Sequence, residues 1–454
     1  MASAADSMAS GLNLSKFGQA TELKKRLWFT LGALIIFRML SFVPLPGVDP
    51  TQLGLLADRT QGGVLDFFNT FSGGALERMS VIALGVMPYI TASIVVQLAT
   101  SLSPTLAAIK KDGESGRKRL NQYTRYGTVA LTAIQGYFIA VGLETLGATQ
   151  GLAPVVEPGM LFRIAAVISL IGGTMFLMWL GEQITSRGVG NGISLIIMAG
   201  IVAHLPTTLV QLFEGGRSGS MNPVTLVAIL AAVAGLVLFI CFMERAQRRI
   251  LIQYPKRQTQ RGVQSERSHL PLKINTAGVI PPIFASSLLL MPLTVSQFAG
   301  QAQSGESWGG DLIITLNQYL QHGSLVYMLL YGAGIIFFSF FYTAVVFNPE
   351  ETAENLKKYG GFIPGIRPGK NTEAYFDYVL TRITVIGAAY LTFICLVPEY
   401  LVSALAIPFY LGGTSLLIVV NVTMDTVTQI QSHLLAHQYG DLIKKAKLKG
   451  GRLR

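Results

Sequence analysis

Charge is what this chain has least of. Only 13% of its 454 residues are Asp, Glu, Lys or Arg, about half the ~25% usual in soluble domains. Hydrophobic residues make up 51%, and the mean hydropathy is +0.49. The charges cluster, leaving apolar runs long enough to cross ~30 Å of hydrocarbon. A soluble globular protein is excluded, and the chain reads as a polytopic membrane protein. The runs also argue for helices, because the spans of an outer-membrane barrel alternate over about ten residues.

Other scarcities narrow the chemistry. Cys241 and Cys395 are the two cysteines, both inside apolar runs, which leaves no disulfide framework or metal cluster. No HExxH, nucleophile elbow or Asp-rich metal motif occurs. Gly188–Gly192 (GVGNG) lacks the Lys-Ser/Thr of a nucleotide loop. His433 and His437 in HLLAH lie beyond the last apolar run, on what reads as an interfacial helix face. Ionisable residues within the apolar runs are few, and Arg38, Arg163 and Asp425 form no obvious pair or relay within those runs. That is a poor set for ion-coupled transport. No catalytic residues, metal or cofactor are therefore expected, and work done through the chain has to come from something that docks. Nor is a cleaved signal peptide expected, since the run after Lys24, Lys25 and Arg26 ends at FVPLPG without a small-residue cleavage site.

What is present is a patterned set of spans. Ten are expected, at about 26–44, 77–101, 121–142, 160–181, 190–211, 222–242, 275–297, 324–346, 378–397 and 407–430. Basic clusters alternate with loops whose bodies lack Lys and Arg. Lys110, Lys111, Arg117, Lys118, Arg119 and Arg125 follow the second span. Eight Lys/Arg residues lie from Arg245 to Lys273, and six more close the chain from Lys444 to Arg454. This alternation places both termini in the cytoplasm and accounts for most of the net charge of +11. The expected organisation is a cytoplasmic segment 1–25, a five-span half 26–211, a second half 222–430 and a basic cytoplasmic tail 431–454. The second half carries two connections, 244–273 and 347–377, with the Pro, Gly, β-branched and aromatic mixture of ordered protruding loops.

An internal repeat runs through the two halves. Residues 85–93 read GVMPYITAS and residues 278–286 read GVIPPIFAS, identical at six of nine positions. The first is traversed from outside to inside and the second in the opposite direction, as in an inverted repeat. Paired Gly/Pro-interrupted spans point to a central site between halves. Convergence of two kinked membrane helices is the other account. Val86 and Ile90 are four apart, as are Ile193 and Ile197, so each pair shares a helix face. Ile283 occupies the repeat position of Ile90. Such aliphatic side chains form a hydrophobic constriction that blocks ions by dewetting, or else pack as an ordinary helix interface. A solute transporter with an inverted repeat and a passive channel both remain open on these residues.

Longer motifs decide the comparison. LGVMPYITASIVVQL (84–98), PTLAAIKKDGESGRKRLNQYTRYG (104–127), GEQITSRGVGNGISLIIMAGIV (181–202), SHLPLKINTAGVIPPIFASS (268–287), YGGFIPGIRPGKNT (359–372) and GGTSLLIVVNVTMDT (412–426) resemble the bacterial SecY family, the pore subunits of Sec protein-conducting channels. The resemblance covers essentially the whole chain. It implies an all-α polytopic fold of ten transmembrane helices in two inverted five-helix halves, around a central hydrophobic constriction with a lateral gate. It implies a pore ring at Val86, Ile90, Ile193, Ile197, Ile283 and Ile418, with valine where the family usually has isoleucine. The gate implied between the second and seventh spans takes in Pro88, Ser93, Gln97, Pro281, Phe284 and Ser287. SecA and ribosome docking is implied at Arg248, Arg249, Lys256, Arg257, Arg261 and Arg367. The implied partners are SecE, SecG, the SecA ATPase, translating ribosomes and nascent or presecretory polypeptides, with SecDF, YidC and anionic lipids as further candidates.

One stretch is odd for its place. VLDFFNTFSGGALERMS (64–80) is oily, glycine-broken and too short to span, yet sits on the outer side before the second span. By its residues it reads as an interfacial helix. The resemblance implies instead a plug at about 64–74, with Phe67, Phe68 and Phe71 facing a funnel wall and Gly73 and Gly74 serving as a swivel.

Overall fold

The computed structural model describes residues 21–53, 69, 72–150, 154–218, 222–254, 257–259, 262–264, 267–289, 324–405 and 412–450. Helices α1 Thr21–Leu40, α2 Met87–Leu102, α3 Pro104–Lys111, α4 Glu114–Gln150, α5 Met160–Arg187, α6 Gly192–Arg217 and α7 Pro223–Arg245 come first. Strands β1 Gln247–Gln253, β2 Arg257–Thr259, β3 Gly262–Gln264 and β4 Arg267–Lys273 follow. Then come α8 Ile280–Leu289, α9 Leu325–Val346, α10 Pro349–Lys358, α11 Lys370–Leu405 and α12 Gly413–Gly450. Six of these helices are long and apolar enough to cross a membrane, and α2 with α3 adds a seventh candidate, broken by a 101° bend.

The described residues fall into two compact units. One holds those within Met1–Thr207 and Val422–Arg454, the other those within Thr208–Ser296 and Asp311–Asn421. In the first, α4 packs along α5 and against α2, and α1 packs on α5. The buried face of α4 carries hydroxyls that cost little, because each returns its proton to the helix. Thr124 Oγ1 donates to Leu120 O, Thr128 to Thr124 O and Thr132 to Thr128 O, at 2.7–3.1 Å. In the second unit α11 packs on α9 and α10. Helix α7 meets α11 through Phe239 against Tyr390 and Phe393, yet leaves most of its apolar surface uncovered within the described residues. A surface that apolar belongs in lipid or against another subunit.

Helix starts follow local chemistry. Asn222 Oδ1 accepts from Val224 N with Pro223 in the first turn, and Ser324 Oγ accepts from Tyr327 N. Asn348 caps α10 by accepting from Glu350 N and Glu351 N. Those acidic residues sit in its first turn, and Lys357 and Lys358 sit in its last, each matched to the helix dipole.

The expected second span, 77–101, needs correction. Its helix begins only at Met87, and residues 73–86 are turns and bends with a single bridge at Ser80. Met79 (φ 41°) and Gly85 (φ 56°) take left-handed backbone that cannot continue an α-helix, whereas Pro88 suits a first turn. Several other spans run past their expected ends. The helix over 121–142 extends to 114–150, and the helix expected to end near 430 continues to Gly450.

Candidate functional site

The irregular stretch before α2 is buried, which at membrane depth demands internal hydrogen bonding. Ala75, Ser80, Ile82 and Ala83 are almost fully enclosed. The chain meets that demand by pairing with the segment that follows α1. Leu45 N donates to Met79 O (2.8 Å) and Val81 N to Val43 O (3.0 Å), with a bridge between Pro44 and Ser80. Local turns satisfy more groups, including Ser80 N to Ala75 O and Gly85 N to Ile82 O. Close approach to the neighbouring helices depends on two glycines. A Cβ on Gly173 of α5 would collide with the Val81 carbonyl, and a Cβ on Gly73 would lie 3.0 Å from Gly200 Cα on α6.

The N-terminal end of this stretch is fastened. Arg38, in the last turn of α1, donates from Nη1 to Gly73 O at 2.5 Å. Gly73 (φ 70°) and Gly74 (φ 82°) form a left-handed pair, and Gly74 N donates to Asn69 O. Asn69 Nδ2 donates to Glu77 Oε2, and Asn69 Oδ1 accepts from Glu77 N. The guanidinium groups of Arg38 and Arg78 lie over the Phe42 ring, at 4.9 and 4.3 Å. The glycine pair expected to swivel is thus held in this structure. Phe67, Phe68 and Phe71 lie outside the described residues.

The six ring positions divide between the units. Val86 is the N-cap of α2, and Ile90 N donates to its carbonyl, so both sit on the first turn. Ile193 and Ile197 sit on the first two turns of α6, where Ile193 lies over Gly181 of α5. In the second unit, Ile283 is on α8 and Ile418 on α12. Val86, Ile90, Ile197, Ile283 and Ile418 are buried and Ile193 is half-buried.

The gate positions also divide. Pro88, Ser93 and Gln97 lie on α2, where Gln97 Nε2 donates to Ser93 Oγ (3.2 Å) and buried Gln97 Oε1 has no hydrogen-bond partner among the described residues. Pro281, Phe284 and Ser287 lie on α8. Phe284 meets Phe338 and Tyr342 edge-on, and Ser287 Oγ donates to Ile283 O. The repeat has a conformational echo. Gly278 (φ 65°) precedes α8 by two residues, just as Gly85 (φ 56°) precedes α2.

Two ionisable residues that form no obvious pair within the apolar runs have a partner in the structure. Arg163 Nε and Nη2 donate to Glu144 Oε2 at 2.9 and 2.6 Å, and Gly159 N donates to Glu144 Oε1. Arg38 is engaged with Gly73, as above. Arg125, counted among the basic cytoplasmic residues, forms a two-oxygen contact with Glu182 at 2.8 and 2.7 Å. Residues 19 and 57 apart meet only through helix packing, so periodicity carries no signal for either pair.

The two long connections form one folded module. Strands β1 and β4 pair antiparallel, from Gln247 opposite Lys273 to Gln253 opposite Arg267. Gln253 and Phe362 exchange backbone hydrogen bonds at 2.9 Å, joining the hairpin to the second loop. Beneath lies a small core of Ile250, Leu272, Ala353, Ile363, Phe376, Val379 and Ile383. Arg248 and Arg249 are exposed on the hairpin and Arg367 at the loop tip. Gly365 and Gly369 flank Arg367 with positive φ, and Thr372 Oγ1 donates to its carbonyl. Arg257 lies on β2, while Lys256 and Arg261 lie outside the described residues.

Apolar helices, a buried irregular segment and a folded module with exposed arginines define a multi-pass helical membrane protein. The SecY family model matches residues 80–427. Protein translocase subunit SecY of Escherichia coli (strain K12) is 54% identical over 434 residues, 95% of this chain and 96% of that protein. The chain belongs to the SecY family. Among solved structures, a SecY whose plug domain is described as stabilising the closed translocation channel aligns at TM-score 0.62 and 19% identity, over 90% of this chain and 92% of that one. Sec61 in the canine ribosome–channel complex aligns at TM-score 0.60 and 17% identity, over the same shares. At such identities the likeness is one of fold.

Proposed function

We propose that this chain forms the pore of a passive, partner-driven channel. It passes unfolded secretory polypeptides across the bacterial cytoplasmic membrane and releases signal sequences and membrane segments sideways into lipid. As a SecY-family member it is a protein translocation channel subunit. The finer reading is ten spans in two inverted five-helix halves, with both termini cytoplasmic. Val86, Ile90, Ile193, Ile197, Ile283 and Ile418 close the pore, a plug at about 64–74 seats beneath them, and a gate opens between α2 and α8. SecE and SecG are the membrane partners, and SecA or a translating ribosome docks on the hairpin and the Arg367 tip.

The observation that carries this reading is the buried, internally satisfied turn segment 73–86 leading straight into Val86 and Ile90. Backbone of this kind is tolerated at membrane depth only against protein or a water-filled cavity. No covalent chemistry is required. A signal sequence leaves sideways because its apolar surface partitions at roughly 25 cal/mol per Å². Threading draws on the docked motor, on synthesis, or on the membrane potential, which acts on charged segments with about 2.3 kcal/mol per charge per 100 mV. The solute-transporter reading has no supporting observation.

Vesicles containing the purified channel complex, given a presecretory protein, SecA and ATP, test the proposal. The precursor should become protease-protected in the lumen. If it stays accessible while a small solute is carried, the reading is wrong.

A further inference from the structure

The root of α8 is built unlike the start of α2, whose N-cap Val86 has no side chain to offer. Asn275 is buried at 4% exposure and Glu244, near the end of α7, at 6%. Asn275 Nδ2 donates to Glu244 Oε1 at 2.5 Å and to Gly278 O at 3.1 Å, while Asn275 Oδ1 accepts from Gly278 N at 3.1 Å. One side chain thus encloses the left-handed turn at Gly278 and ties it to a buried carboxylate on another helix. A third element closes in, since a Cβ on Gly278 would lie 3.7 Å from Nδ2 of buried Asn421 on α12.

The same point is continuous with the cytoplasmic hairpin. The β1–β4 ladder ends at Gln247 opposite Lys273, and Ile274 N then donates to Ala246 O at 3.0 Å. Glu244 and Asn275 come next. A force on the hairpin therefore reaches Asn275 two residues beyond Lys273, and the start of α8 five residues further on. A buried carboxylate is costly to desolvate and is held where its hydrogen bonds are made, which makes this a stiff junction.

We infer that Glu244 and Asn275 are positioning residues that fix the root of α8 in its resting setting, so that this helix does not move aside unless a signal sequence engages it. The inference rests on the reading of α8 as one side of the gate. The pair touches no cargo and acts through the Gly278 turn.

The test uses the full channel complex, with equal amounts of each variant in membranes. Asn275→Asp removes both donated bonds and sets a second carboxylate against Glu244. Glu244→Gln keeps an acceptor oxygen at the same place. The double variant E244Q/N275D restores a donor–acceptor contact with its polarity reversed. Transport of a precursor with a defective signal sequence, relative to the intact one, should rise about tenfold in N275D, the scale of one lost hydrogen bond to a charged group. The ratio should stay near wild type in E244Q and fall back in the double variant. If N275D does not accumulate, Asn275→Ser withdraws the same bonds without adding charge and should raise the ratio likewise. A parallel fall in transport of both precursors, or an unchanged ratio, overturns the inference. Photocrosslinking of the intact signal sequence to position 284 of the wild-type channel is run alongside. Adducts with an unchanged ratio overturn the positioning role alone, while absence of adducts overturns the gate reading and this inference with it.

Discussion

Replacing Gly73 with alanine would put a methyl group where the structure leaves no space. The residue has φ 70°, and left-handed backbone costs an L-residue roughly 1–2 kcal/mol. Its Cβ would lie 3.0 Å from Gly200 Cα and 3.3 Å from Gly200 O. Both neighbours are backbone, so no rotamer change relieves the contact, and overpacking of this kind adds about 1–3 kcal/mol. The relief available is for the segment to lift from α6, weakening the Arg38 bond to Gly73 O. A bias of only 1–2 kcal/mol shifts the seated-to-unseated ratio by about 5–30-fold. Gly74→Ala is the matched control. Its φ is 82°, but its Cβ would meet only the flexible Arg78 guanidinium, at 3.7 Å. Ion efflux from vesicles holding the resting channel complex should therefore rise several-fold more in G73A than in G74A. Equal leak in the two variants would refute the Gly200 contact as the seat, and no leak in either would remove the plug reading with it.

Three further outcomes are expected. Ile283→Asn or Ile418→Asn places an amide among buried aliphatic residues, and resting ion leak should increase in the same efflux assay. Arg367→Lys keeps the charge but loses the planar fork. Motor-driven translocation should fall by about tenfold or more, the scale of one charge-assisted hydrogen bond, with the resting seal unchanged. Free exchange of lysine there would reduce Arg367 to one more cytoplasmic charge. Phe376→Ala empties the centre of the hairpin–loop core, where Phe376 has 0% exposure, and should cost that module about 3–5 kcal/mol. Protease sensitivity within 347–377 should rise and docking should weaken, while ion leak stays at the wild-type level.

The sequence by itself determined the class of fold, because apolar run length and clustered charge are properties a lipid bilayer reads directly. It also determined the family, since motifs such as GVMPYITAS and YGGFIPGIRPGKNT hold their information in residue order. The likeness of GVMPYITAS to GVIPPIFAS was legible too, and its two glycines, Gly85 and Gly278, both take positive φ. Only the tertiary structure decided where the helix of the second span starts. Residues 77–86 are as apolar as a helix needs, and hydropathy is blind to backbone conformation. What turns them is partner geometry: the strand-like contact of 43–45 with 79–81 and the notch at Gly173. The same limit hid the pairs Arg163–Glu144 and Glu244–Asn275. Their members are 19 and 31 residues apart, and packing alone brings them within hydrogen-bonding distance.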